Sequence, residues 1–248
     1  MGQYQEKGRG TRDEGRGLNI HQQQALWWYI ASLLVLASGS FLSAKQYPGG
    51  FDWIYTVASA LASQKHNPDG YMWFASTLGL AMLLLWPYVT ALQKARHPAL
   101  PATSIAISAL RTGLICGMLL GLEKLLIRDL SNWVYKAHEI LGLLTFTGLY
   151  IGILMLMVQA LLRQRVYALP LFLVASPLVV IGITQFWLYL DQRDLGWVDT
   201  SWRDMGIPLW LSFAFWQWIA IGFLWAGLGL LSFISTEENK TPASKKSS

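Results

Sequence analysis

Six runs of nearly unbroken apolar residues, each about twenty long, dominate this sequence: Ala25 to Ser43, Tyr71 to Leu92, Ile105 to Leu126, Ala137 to Leu162, Leu169 to Leu190 and Pro208 to Phe233. A helix rises about 1.5 Å per residue, so each run is long enough to cross a hydrocarbon core of about 30 Å. In lipid every backbone N–H and C=O must be paired within its own segment, which leaves the helix as the fold for such runs. The sequence therefore predicts an all-α, polytopic transmembrane bundle of six helices. Residues 21–235 form the membrane domain, with 1–20 and 236–248 as disordered cytoplasmic tails rich in Gly, Arg and Glu or in Lys, Ser and Thr. Composition agrees, because 54% of residues are hydrophobic and only 13% charged, against about 25% charged in a soluble domain.

The first run ends at Leu42-Ser43-Ala44, which looks like a weak signal-peptide cleavage site. The preceding tail is long and mixed in charge and the run already has spanning length, so it is read as an uncleaved anchor. Cys116 is the single cysteine, and no intrachain disulfide can form.

Lys and Arg set the orientation. With six spans, twelve basic residues fall on the side of the termini, among them Arg12, Arg16, Lys94, Arg96, Arg111, Arg163 and Lys245, and seven on the other. The positive-inside rule then puts both termini in the cytoplasm, in a multi-pass protein of the cell (inner) membrane. The acids run the opposite way, with nine of the fourteen on the outer side. The net charge of +5 thus reflects membrane orientation. Nucleic-acid binding would need a concentrated basic patch with interleaved aromatics, and the sequence has none.

The first outer loop, Lys45 to Gly70, contains FDWIYTVASALAS, Phe51 to Ser63, too short to span. It is expected to form an amphipathic outer loop helix or lid on the outer leaflet. Tyr47-Pro48-Gly49-Gly50 leads into it, and Asn67-Pro68-Asp69-Gly70 leads out, with Asn67 placed to cap and Pro68 to open the second span. Trp197 and Trp202 enrich the last outer loop, and aromatic rings at headgroup depth account for most of the thirteen tryptophans. In the third span Gly113, Gly117 and Gly121 recur every four residues, and Gly148 and Gly152 repeat the spacing in the fourth. These are helix-packing residues, since bare glycine faces let two backbones approach closely.

Polar residues at the hydrocarbon boundary gather on the outer side: Glu123, Lys124, Arg128 and Asp129 after the third span, Lys136, His138 and Glu139 before the fourth, Gln185 and Asp191 in the fifth, and His66 and Asp69 before the second. A charge in the membrane costs at least a few kcal/mol, so such groups are paired or functional. The short link from Ile127 to Asn132 makes the third and fourth spans antiparallel neighbours whose polar ends meet. Two readings stay open. Either His138, with Glu139, Asp129, His66 or Asp69, forms a site for a divalent metal or for general acid–base work on a lipid headgroup, or these are interfacial residues, Lys124 and Arg128 pairing with Glu123 and Asp129. The metal-ligand spacing HExxH is absent, and the outer pair His66 and His138 would be the sole haem candidate. No cofactor is assigned. Gln159 and Gln217, deep in spans, are expected to join helices by hydrogen bonds.

The layout of Tyr47-Pro48-Gly49, Ser59 to Ser63, Pro68-Asp69-Gly70, Asp129 and His138 resembles an uncharacterised prokaryotic family of six-helix membrane proteins akin to the DRAM and Sfk group. The likeness covers roughly residues 25 to 235 and implies a role linked to membrane lipids or membrane-protein traffic, with no catalytic residues to carry over. The expected function is to bind or organise membrane lipids or a partner membrane protein, or a second copy of the chain, through an outward-facing polar vestibule. Two alternatives are a lipid-modifying hydrolase using His138 and nearby carboxylates, and a small transporter using Glu139 and Asp129 as proton-linked groups.

Overall fold

The computed structural model describes residues 20–95, 101–127, 132–163, 165–192 and 213–234. These residues are helical almost throughout. The elements are α1 (Ile20–Lys45), a one-turn α2 (Ala58–Leu61), α3 (Tyr71–Ala95), α4 (Pro101–Leu126), α5 (Asn132–Arg163), a 3-10 turn (Arg165–Tyr167), α6 (Ala168–Gln192) and α7 (Phe213–Phe233). Five of them, α1, α3, α4, α5 and α7, are long and apolar enough to cross a membrane, whereas α6 contributes a shorter apolar stretch, Ala168–Thr184. The tails expected over 1–20 and 236–248 lie outside the described residues, apart from Ile20, which already belongs to α1.

Successive long helices run antiparallel. Ser32 Oγ on α1 donates to Ala81 O on α3 at 2.7 Å, and Thr103 Oγ1 on α4 donates to Gln159 Oε1 on α5 at 2.8 Å. Consecutive helices are neighbours, and α7 closes the ring by packing on α1, α5 and α6. Residues 46–70 lie at one end of the bundle, the loop end.

The bundle is apolar outside as well as inside. Leu34, Phe41, Leu83, Ile115, Leu119, Leu143, Ile151, Phe172, Val180 and Ile183 all face outward, a belt that only a lipid surround tolerates over such an area. With lipid as apolar as leucine, close packing and hydrogen bonds must hold the helices together. A Cβ on Gly148 would stand 2.7 Å from Gly113 N and 2.8 Å from its Cα, and one on Gly121 would stand 2.9 Å from Gly79 N. Buried Tyr88 fills the core between α3 and α7, its hydroxyl donating to Leu228 O at 2.5 Å. Tyr29 and Trp225 tilt against the same centre, Tyr29 lying 6.4 Å from the Tyr88 ring and 6.0 Å from that of Trp225.

Candidate functional site at the loop end

The amphipathic outer loop helix expected over Phe51 to Ser63 is corrected to a single turn, Ala58–Leu61, with Ala58, Ala60, Leu61 and Ala62 buried. A longer helix would have laid one face on lipid; instead this small, apolar segment tucks into the helix ends. Its first half is taken up by another local bond pattern: Asp52 Oδ1 accepts from Ile54 N at 2.8 Å and Tyr55 N at 3.3 Å, which folds a turn where helix would have continued. Gly49 and Gly50 lead into it at φ 77° and 90°, conformations that suit glycine.

Three ties hold the loop down. Gln217 Oε1 accepts from Ala58 N at 2.9 Å, and Trp218 Nε1 donates to Thr56 O at 3.0 Å. Asn67 does not cap α3 with its side chain. It is fully buried, and its Nδ2 lies 2.8 Å from Ser43 Oγ, 3.1 Å from Ser43 O and 3.2 Å from Leu61 O, while Ser43 Oγ donates to Leu61 O. The start of α3 is set by the backbone instead, Tyr71 N donating to Asn67 O.

So anchored, the loop presents an aromatic edge. The rings of Phe51 and Trp53 stand edge to face at 4.7 Å, Trp53 and Trp218 at 4.9 Å, and Tyr47 and Phe51 at 5.1 Å. Trp53 and Tyr55 remain 45% and 56% exposed. Beside them Gly49 to Ile54 border a shallow, open dip in the surface. Aromatic rings with an apolar body and a polar edge suit the headgroup layer of a bilayer.

The charged residues lie on α4 and α5 at the same end of the bundle, where Gln64 Nε2 of the loop donates to Lys124 O at 3.5 Å. Glu123 is 93% buried by its side chain's neighbours, at 7% exposure. Its Oε2 stands 3.2 Å from His138 Nδ1 and its Oε1 3.5 Å from Lys124 Nζ. A carboxylate on Nδ1 fixes the imidazole and turns Nε2 away from it, the arrangement that orients a histidine base or ligand. His138 thus pairs with a carboxylate outside the set named for it. Glu139 follows on the helix, about 100° round. His66 and Asp69 are exposed on the loop, His66 N bonding to Ser63 Oγ. Asp129 and Arg128 lie outside the described residues, as do the side chains of Lys136, Gln185 and Asp191. Among the described residues no three His, Cys, Asp or Glu side chains gather as metal ligands would.

The signal for Glu123 was present in the hairpin. Contacts 103/159, 113/148 and 123/138 all share a midpoint at residue 130 or 131, so a symmetric antiparallel pair centred on the short link places Glu123 opposite His138. The glycines divide in the same geometry. Gly113, Gly148 and Gly152 lie in the α4–α5 contact, with Gly152 against Leu110 and Ala106. Gly117 meets Met82 of α3 and Thr145 of α5, and Gly121 packs on Ala75 and Gly79 of α3. Compared with known proteins, this chain matches no protein-family model, no curated protein and no solved structure.

Proposed function

We propose that the chain is a six-span protein of the cell membrane with both termini cytoplasmic, and that it binds or organises a lipid at its loop end without covalent chemistry. The observation that carries this reading is the aromatic edge of Phe51 and Trp53 packed on Trp218, with Tyr55 exposed next to it, on a loop held by Gln217 and Trp218. A rigid edge at headgroup depth binds at a low ordering cost. The charged groups at the same end support the same view, because Glu123 pairs with both Lys124 and His138. The resemblance to the DRAM and Sfk group belongs to this proposal and points the same way, to lipid or membrane-protein traffic.

Native mass spectrometry of the protein released from mild detergent tests it, read for lipid and metal together. Retained lipid that falls in a W53A/Y55A variant is the expected result. A stoichiometric metal that disappears in His138→Ala would overturn it in favour of a hydrolase. A partner membrane protein in place of the lipid would show as a co-purifying chain lost in the same W53A/Y55A variant.

One observation favours a second reading, a proton-coupled transporter: a buried carboxylate bonded to a histidine across two helices can carry a proton. The carboxylate is then Glu123 rather than Glu139 or Asp129. Proton uptake into proteoliposomes that is abolished by Glu123→Gln would support this reading and displace the first.

A further inference from the structure

In the half of the bundle away from the loop, Arg111 sits ten residues into α4, about 15 Å along its axis from Pro101. It lies within the apolar stretch that starts at Ile105, where a bare charge costs a few kcal/mol. Its side chain climbs towards the end of α3. Nη2 donates to Gln93 Oε1 at 2.8 Å, and Gln93 is two residues from the last residue of α3, so the side chain reaches from the apolar stretch of α4 to the last turns of its neighbour. The cation also stands 5.6 Å from the centre of the Trp86 ring.

Both of these partners are neutral. An amide and a ring orient the guanidinium and leave its charge in place. Nε is buried and makes no hydrogen bond. The acidic residues among those described, Asp52, Asp69, Glu123, Glu139 and Asp191, all belong to the loop end. Lys94, exposed in the last turn of α3 beside Gln93, adds a second positive charge instead of an answering negative one. A planar fork of N–H donors, steered by an amide in the last turns of α3 and by a ring, is complementary to a phosphate oxygen pair.

We propose that Arg111, steered by Gln93 and Trp86 and assisted by Lys94, binds the phosphate of an anionic phospholipid in the leaflet at this end of the bundle. The inference rests on the membrane embedding of the helices and is independent of the lipid proposed at the loop end.

The test is a native mass spectrometry titration of the full chain in mild detergent with dioleoyl phosphatidylglycerol, against dioleoyl phosphatidylcholine and against inorganic phosphate. The wild type is expected to prefer phosphatidylglycerol about fivefold or more, one near-surface cation accounting for roughly that factor. Arg111→Gln should remove the preference, weakening phosphatidylglycerol more than phosphatidylcholine, whose phosphate is already balanced by its own choline cation, and leave the W53A/Y55A response unchanged. Arg111→Lys, which keeps the charge without the fork and guards against a misfolded first variant, should retain part of it. Displacement of phosphatidylglycerol by millimolar inorganic phosphate, lost in Arg111→Gln, would keep the phosphate site and assign it to the free anion. Equal binding of the two lipids by the wild type, or an undiminished preference in folded Arg111→Gln, overturns the proposal.

Discussion

Placing a methyl group on Gly148 separates two views of what holds α4 to α5. The new Cβ would lie 2.7 Å from both Ala109 O and Gly113 N, where ordinary contact begins at 3.4 Å. The shortfall of about 0.7 Å is against backbone on both counts, so no rotamer change relieves it and the helices must part. A gap of that size forfeits between about a quarter and a half of each dispersion contact across it, and overpacking of this kind costs about 1–3 kcal/mol. Against this stands the helix preference of alanine over glycine, worth up to about 1 kcal/mol. Gly142 on the same helix has nothing within 4 Å of its added Cβ, so Gly142→Ala collects the second effect alone. The expected outcome is Gly148→Ala less stable than wild type by about 1 kcal/mol and Gly142→Ala equal or more stable, a spread of about 2 kcal/mol. Reversible unfolding in mixed micelles measures it, with both variants compared in one detergent. Equal stability of the two variants would refute the close α4–α5 contact.

The Glu123–His138 pair should couple in a double-mutant cycle of Glu123→Gln and His138→Ala by about 1 kcal/mol, the scale of interhelical polar contacts in membranes, read from the same unfolding assay; strict additivity counts against the pair. Asn67→Ala removes a donor with only two hydrogens that serves three acceptors on Ser43 and Leu61, at about 1–2 kcal/mol. Hydrogen exchange should then speed up across residues 51–67 while the α4–α5 core stays protected, and an unchanged loop would show that the Gln217 and Trp218 ties suffice.

The helical layout was legible because lipid leaves long apolar runs with one way to satisfy their backbone. The hairpin of α4 and α5 was legible from the short link, and with it the meeting of polar ends. What hydropathy did not reveal is which polar group answers which. The sequence groups His138 with Glu139, Asp129, His66 or Asp69, whereas the antiparallel register, with its midpoint near residue 131, hands it Glu123. The loop was misjudged for a related reason. Phe51 to Ser63 reads as an amphipathic helix when taken alone, but Asp52 closes a turn and Gln217, 159 residues from its partner Ala58, captures the next free N–H. Long-range bonds of that sort leave no local periodicity.

The two ends of the bundle handle charge in opposite ways, and this gives a test that does not depend on removing anything. At the loop end the carboxylate of Glu123 lies between a histidine and a lysine, so the charges are answered within the protein. At the other end Gln93 occupies the place beside Arg111 where a carboxylate would answer the guanidinium. Gln93→Glu would supply that counter-ion on the same side-chain length. If an anionic lipid serves this role in the wild type, the variant should be more stable than wild type in an uncharged detergent, by up to about 1 kcal/mol for a pair near the surface. It should also lose the stabilisation that added phosphatidylglycerol gives the wild type, because ligand stabilisation vanishes with the binding that causes it. Thermal unfolding of both proteins with and without the lipid reads the two effects at once. A variant that still gains as much as the wild type from phosphatidylglycerol would mean that the lipid acts elsewhere and that Arg111 is content with its amide and its ring.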